Sequence, residues 1–306
     1  MRFAIFSDIH SNLEALASVF LNIINSNEQV DTFLIPGDIV GYGPNPNECC
    51  TIIKFLKNGK SSLKNEIQSI INDVDIDTSD KRSITDYIFS MGKKAYVIVG
   101  NHDKAAIGQP SYCSEMVASA AKAAKWTTTV LRKENARFLK SLRFSKKLKK
   151  YGIQLVHSTP VYPQGYEYTE CAGTLSYETL FANITFAGHT HKPAAYLYTK
   201  QKRNVTASVF ISAHQYDDQL MLDERESMVS ADEFEVVHVS GQRYYINPGS
   251  VGQPRDGVPK ASYMVYDTAL KKIYLKRSAY NTEATKAKIL KAELPADLAN
   301  RVVKGN

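Results

Sequence analysis

The chain opens on a short apolar run, Arg2 to Ser7, after which Leu13, Leu16, Ala17, Phe20 and Ile24 recur at helical spacing. The run is too continuous for a half-exposed strand and reads as a strand buried on both faces. Ser11 and Glu14 stand in the S-x-x-E arrangement of a capping box, which starts the helix directly after the strand. A second apolar run, Thr32 to Ile35, ends in Pro36-Gly37-Asp38. Strand, helix and strand in this order form the opening unit of a parallel sheet.

The pattern then repeats. Pro46 is placed as the first residue of a helix capped by Asn45, and Ala95 to Val99 is a third buried strand, ending in Gly100-Asn101-His102-Asp103. Between them, residues 58–94 are polar and charged, with two weak helical patterns around the acidic turn Asp73 to Asp80. This is an expected helical insertion, either a lid, an oligomer contact or a tolerated surface addition. Helical spacing resumes from Ser114 to Leu142. Strands Ile153 to Val156 and Ile184 to Ala187 follow, ending in His157 and in Gly188-His189-Thr190-His191. Beyond His191 the chain becomes strand-rich, with Ala194 to Thr199, Ala207 to Ser212, Glu235 to Val239, Arg243 to Ile246, Ser262 to Tyr266 and Ile273 to Arg277 predicting a second sheet. Lys200 to Asp232 is an expanded stretch within it. Two short helices broken at Pro295 close the chain, and with no repeat or linker one composite domain over 1–306 is expected.

Composition narrows the class. At 43% hydrophobic and 23% charged residues the chain is an ordinary globular protein. Cys49, Cys50, Cys113 and Cys171 form no C-x-x-C pair and read as reduced thiols of a cytoplasmic protein. The N-terminus lacks a secretory pattern, and Leu13 to Ile24 is interrupted by Glu14, Ser18 and Asn22, so no membrane segment is expected. A net charge of +7 admits a nucleic-acid partner. The densest basic run, Leu142 to Gly152, interleaves Leu142, Phe144 and Leu148 with its cations, however, as a solvated edge strand or helix end does. Without a nucleic-acid module beside it, nucleic acid is not the favoured partner.

The candidate chemistry lies at the strand ends. Asp8-x-His10, Asp38, Asn101-His102, His157 and His189-x-His191 follow five strands, where a parallel sheet gathers its binding site. Five of the chain's seven histidines stand there, leaving His214 and His238 elsewhere, which chance placement does not explain. Residues i and i+2 share a face, so each D-x-H or H-x-H pair can direct two side chains into one cavity. Gly37, Gly100 and Gly188 precede three of these ligands and let the backbone turn there. Mixed imidazole and carboxylate donors suit manganese, iron, cobalt, nickel or zinc better than magnesium or calcium. Seven candidate ligands exceed the needs of one ion, and a shared carboxylate such as Asp38 would bridge two ions roughly 3.5–4 Å apart.

These motifs, in this order, resemble the calcineurin-like metallophosphoesterases. Asp8-Ile9-His10-Ser11-Asn12, Gly41-Tyr42-Gly43-Pro44-Asn45-Pro46 and the run Asn247 to Arg255 are most similar to the small bacterial and archaeal phosphodiesterase-like branch. The resemblance implies an α/β fold, a four-layer α-β-β-α sandwich of two mixed sheets flanked by helices. It implies that Asp8, His10, Asp38 and His191 hold one divalent metal and Asp38, Asn101, His157 and His189 a second, with Asp38 shared. A metal-bridging hydroxide would attack phosphorus, and His102 would stabilise the transition state or protonate the leaving oxygen. Arg255 is either a phosphate-binding arginine or a turn-stabilising residue, and Asn12 either contacts substrate or starts the helix. Protein phosphatases of the wider superfamily carry Asp-Arg-Gly after the bridging aspartate. Here Ile39-Val40-Gly41-Tyr42 follows Asp38, so the expected substrate is a small phosphate ester of nucleotide or dinucleoside polyphosphate type, and the orienting partner of His102 is left open. The rival readings are a nuclease and a non-catalytic interaction scaffold, the second opposed by the presence of every ligand.

Overall fold

The computed structural model describes residues 1–26, 29–165, 175–200 and 241–306, and the backbone of strands Val205–Phe210, Ser227–Val229 and Glu233–Glu235. Residues 201–204, 211–226 and 230–232, which make up most of the expanded stretch and include His214 and the expected strand residues 211–212, lie outside the described residues, as do Cys171, His238 and the expected strand residues 236–239.

The first sheet is built on β1 (Arg2–Ile5). Its neighbours are β2 (Thr32–Ile35), parallel, and β12 (Ala261–Asp267), antiparallel, and β2 in turn pairs in parallel with β3 (Ala95–Val97). The sheet runs β10-β13-β12-β1-β2-β3, with β10 (Glu233–Glu235) and β13 (Lys272–Ser278) at the far side. The second runs β4-β5-β6-β11-β7-β8-β9, formed by β4 (Ser145–Leu148), β5 (Ile153–Val156), β6 (Ile184–Phe186), β7 (Pro193–Lys200), β8 (Val205–Phe210), β9 (Ser227–Val229) and β11 (Gln242–Pro248). Both sheets are mixed. In the first, β12 and β13 run antiparallel beside the parallel β1, β2 and β3, so these late strands join the opening sheet rather than a second one. In the second, β5, β6 and β11 pair in parallel while β7 returns antiparallel to β11.

Alternation along β1 and β2 explains the layering. Phe3, Ile5 and Leu34 point to the second sheet, where they pack with Leu155, Ile184, Phe186 and Ile246. Ala4, Phe6, Phe33 and Ile35 point the other way, onto the helices. A strand buried on both faces therefore reads as continuous apolar sequence, as β1 and β2 do. The helical face is supplied by α1 (Leu13–Asn25) and α2 (Pro46–Asn58), with Phe6, Phe20 and Phe33 meeting at centroid distances of 5.4 to 6.2 Å. The outer face of the second sheet carries Val156, Tyr196, Tyr198 and Tyr245 beneath Leu175 and Leu180.

Two local expectations change. Helix α1 is capped by Asn12 rather than Ser11: Asn12 Oδ1 accepts from Ala15 N–H at 3.1 Å, whereas Ser11 is in left-handed backbone at φ 54°. Its Glu14 turns to Lys288 of α9 (Thr282–Lys291) instead of closing a capping box. The 58–94 segment forms α3 (Lys64–Asn72) and α4 (Thr78–Ser90), whose Ile67, Ile71, Ile84 and Ile88 join the core beneath α1 and α2. It thickens the helical layer and does not line the cleft described below. Between β3 and β4 lie α5 (Asn101–Ala106), α6 (Pro110–Ser114), α7 (Ala118–Val130) and α8 (Lys133–Lys140). The chain continues from α9 through Pro295 into α10 (Ala296–Lys304), and the basic run becomes edge strand β4. Among the described residues no helix is long and apolar enough to cross a membrane.

Candidate metal centre and cleft

The loops leaving β1, β2, β3, β5 and β6 converge, and their backbones are bent into conformations that L-residues seldom adopt. Asp8, His10, Asp38, Tyr42, His189 and His191 all have φ between 49° and 74°. Of the described non-glycine residues with left-handed backbone, only Lys93, Lys271 and Glu293 lie away from this region. Such strain clusters where the surrounding structure enforces a functional geometry. A Cβ on Gly100 would collide with the Asp38 carboxylate and one on Gly188 with that of Asp8, so both glycines are required for close approach of the loops.

Two rings and a carboxylate define the first half of the site. His10 Nδ1 lies 3.1 Å from Val40 O and His191 Nδ1 2.7 Å from Gln253 O. A carbonyl only accepts, so each ring carries its proton on Nδ1 and offers a bare Nε2. Those two Nε2 atoms face each other at 2.9 Å. Asp8 Oδ1 stands 3.3 Å from His191 Nε2 and 3.8 Å from His10 Nε2. Three lone-pair donors thus converge on one point in a buried setting.

The second half is built likewise. His157 Nδ1 is fixed by Pro36 O at 2.8 Å, and its Nε2 lies 2.9 Å from Asn101 Oδ1 and 3.1 Å from Asp38 Oδ2. His189 Nδ1 is 3.1 Å from the same Asn101 oxygen. Asp38 Oδ1 accepts from His102 N–H at 2.8 Å, while Oδ2 is buried without a hydrogen bond and sits 3.8 Å from His10 Nε2 as well. Asp38 thus reaches both halves. Asp8, whose carboxylate accepts from His189 N–H at 3.0 and 3.1 Å, belongs to both three-residue groups, Asp8–His10–His191 and Asp8–Asp38–His157.

Electrostatics follow from this crowding. Burial and the neighbouring His191 and His102 hold His10 well below its ordinary pKa, and burial and Arg255 lower His191. Burial alone would raise the two carboxyls, but His191 draws Asp8 down and His157 draws Asp38 down. Burial would also depress His157, yet Asp38 outweighs it and raises that ring to about 9. A proton on His157 Nε2 there occupies the place that a cation would take. Convergent bare imidazoles, the orphaned Asp38 oxygen and the mixed donor set fit divalent transition metal.

The orienting partner of His102 is not a carboxylate. Asp103 is turned away, accepting from Gly100 N–H and Val40 N–H, each at 3.0 Å, and so ties together the loops after β2 and β3. Burial and the nearby Asp38 raise its carboxyl to about 7. The His102 ring packs instead on Tyr42, with centroids 4.3 Å apart, and edge-on against His10 at 4.9 Å. Its Nδ1 has no hydrogen-bond partner, and burial lowers the ring to about 4.

Further residues support these side chains from the end of β11 and the loop after it. Asn247 Nδ2 donates to Gly188 O at 2.5 Å and to Thr190 Oγ1 at 3.0 Å, and Ser250 Oγ donates to Asp8 O at 2.8 Å. The Asn247–Arg255 run, which carries part of the resemblance, serves structurally to fix the His189–His191 loop. Asn12 is committed to the fold, since its Nδ2 donates to Gly252 O at 2.9 Å and its Oδ1 caps α1. Arg255 Nη2 donates to Tyr42 Oη at 3.1 Å. With Tyr42, Asn101, His102, His189 and Arg301 it lines a cleft of about 520 Å³. Tyr42 and Arg301 escaped the sequence reading, although Tyr42 lay within the Gly41–Pro46 motif.

The chain belongs to the calcineurin-like phosphoesterase family, whose model matches residues 1–193. It is 30% identical over 306 residues, covering 99% of this chain and 97% of the other, to an uncharacterised protein of Methanocaldococcus jannaschii. The structure is similar to that of a metallophosphoesterase from Sphaerobacter thermophilus, with a TM-score of 0.67 and 28% identity over 100% of this chain and 99% of that one. A hypothetical protein from Pyrococcus horikoshii shares the fold, with a TM-score of 0.63, 16% identity and coverage of 100% and 98%.

Proposed function

We propose that the chain is a two-metal phosphoesterase acting on phosphodiesters or phosphomonoesters of nucleotide or dinucleoside polyphosphate type. Asp8, His10, Asp38 and His191 would hold one ion and Asp38, Asn101, His157 and His189 the other. The observation that carries this reading is the pair of bare nitrogens on His10 and His191, 2.9 Å apart, which only a cation or a proton between them reconciles. When bound, divalent ions supply Lewis-acid polarisation of phosphoryl oxygens and activation of water.

The chain's own residues position and discharge the substrate. Arg255 would meet a phosphoryl oxygen at the cleft side of Tyr42. His102, held at about 4 by burial, is neutral near pH 7 and has one N–H to offer. A neutral imidazole is a weak acid, so the reading favours hydrogen-bond donation to developing charge on the leaving oxygen over complete proton transfer. The same reading takes 1–306 as one metallophosphoesterase domain, since Phe3, Ile5, Phe186 and Ile246 share one core between the sheets.

The test is hydrolysis of a chromogenic phosphodiester and a chromogenic monoester with manganese added and after chelation. Hydrolysis of at least one ester that rises with manganese and collapses on chelation is expected. Activity indifferent to both treatments would contradict the reading.

A further inference from the structure

Helix α10 buries Leu298, Ala299 and Val302 in a cluster with Tyr42 and with Ala120 and Ala123 of α7. Arg301 lies beside Val302 and one turn from Leu298, so that packing fixes its backbone at the margin of the buried face. Its side chain comes out at the cleft that holds His102, Asn101 and His189. Among the described residues no carboxylate pairs with it, and it makes no hydrogen bond to a metal-centre side chain. This guanidinium is thus not used by the fold.

The cleft contains a second guanidinium held in register with the first. Gly257 N–H donates to Gly305 O at 2.8 Å, joining the end of α10 to the loop that carries Arg255. Arg255 stands at the reacting end, on Tyr42, whose ring packs against His102. Arg301 approaches from the α7 side, where Met116 and Ala120 give the wall an apolar stretch. Glu115 and Asn306 also line the cleft, both exposed, and neither forms an ion pair with Arg301. A diester phosphate carries one negative charge, which Arg255 and the metal centre already face. Guanidinium groups bind phosphate in forked geometry, and a second one left over calls for a second anion.

We infer that Arg301 forms, beside Arg255, an anion-binding subsite that takes a phosphate of the substrate other than the one being hydrolysed. The inference rests on the phosphoesterase reading for the position of the reacting phosphate. It assigns the substrate class more narrowly, to esters bearing at least two phosphate groups around an apolar or sugar body. A cleft of about 520 Å³ lies within the range of small-molecule sites.

The experiment is calorimetric binding of thymidine 5′-monophosphate and thymidine 3′,5′-bisphosphate to the manganese-loaded protein, its Arg301→Gln variant and its Arg301→Lys variant. Alongside it, hydrolysis of thymidine 5′-(4-nitrophenyl phosphate) is followed. The bisphosphate is expected to bind the unaltered protein about tenfold tighter than the monophosphate. Arg301→Gln brings that ratio to about one, and Arg301→Lys, which keeps the charge and packs alike, retains part of it. No preference in the unaltered protein, or a preference that survives Arg301→Gln, overturns the subsite. An Arg301-dependent preference without metal-dependent hydrolysis would keep the subsite and sink the phosphoesterase reading. Hydrolysis without the preference would do the reverse.

Discussion

His10 and His191 present their Nε2 lone pairs to each other at 2.9 Å, each ring locked in that tautomer by a backbone carbonyl on its far side. The contact is unfavourable in the protein alone and favourable around a cation. Manganese at about a hundred times its dissociation constant would stabilise the folded state by about 2.7 kcal/mol, raising the melting temperature by several degrees. His191→Ala removes one of the opposed lone pairs. It is expected to shrink the manganese-dependent rise while costing the metal-free protein little, as differential scanning calorimetry with and without the ion would report.

His102 touches the centre through its backbone and faces the cleft with its ring. His102→Asn is therefore expected to keep bound metal by elemental analysis and to lower kcat for a chromogenic diester about 100-fold or more. Unchanged turnover would remove the ring from the reaction.

Gly41 sets the other side of that ring. Its φ is +98°, and a Cβ there would lie 2.7 Å from His102 Nδ1. Gly41→Ala should displace the imidazole from Tyr42 and reduce turnover by about tenfold or more, with metal content preserved, since small misplacements of reacting groups are costly. Parallel kinetics and elemental analysis separate this from loss of the metal centre.

Lys288 of α9 reaches the buried Glu14 of α1, which Thr285 Oγ1 also approaches at 3.4 Å. Lys288→Met leaves that carboxylate without its cation. Removing one partner of a fully buried pair costs about 3–5 kcal/mol. Lys288 is one-third exposed, so a loss of about 1–3 kcal/mol in urea unfolding is expected.

Asp267 gives a pH signature remote from the centre. Burial would raise its carboxyl, but the Arg2 guanidinium at 2.6 Å and the amides of Leu270 and Ala269 outweigh burial and lower it. A depressed carboxyl adds stability that is present above its unfolded value of 3.8 and is lost as pH falls through the folded one. Asp267→Asn should flatten the acid limb below about pH 4 in a denaturation series, with little effect on the slope near pH 7.

Much of the centre was legible because strand ends are local: an apolar run of four residues followed by Asp or His needs no tertiary information. The seven expected ligands come together in the fold for that reason. The capping box at Ser11 gives way to a cap at Asn12 because the left-handed turn at His10 and Ser11 shifts the helix start by one residue, which a capping pattern does not register. The destination of Ile67, Ile71, Ile84 and Ile88 was equally hidden. Their spacing marks helices, but docking beneath α1 depends on partners far along the chain. Arg301 lies nearly two hundred positions from His102, and only the packing of α10 on Tyr42 brings it to the same cleft.

The most direct test of the central claim is the manganese content of the purified chain after chelation, reloading and removal of free ion, measured by elemental analysis beside the rate of diester hydrolysis. Two ions per chain are predicted, with hydrolysis returning as they bind and Asp38→Asn reducing both. A chain that retains no ion, or that hydrolyses the diester equally well without one, would contradict the account.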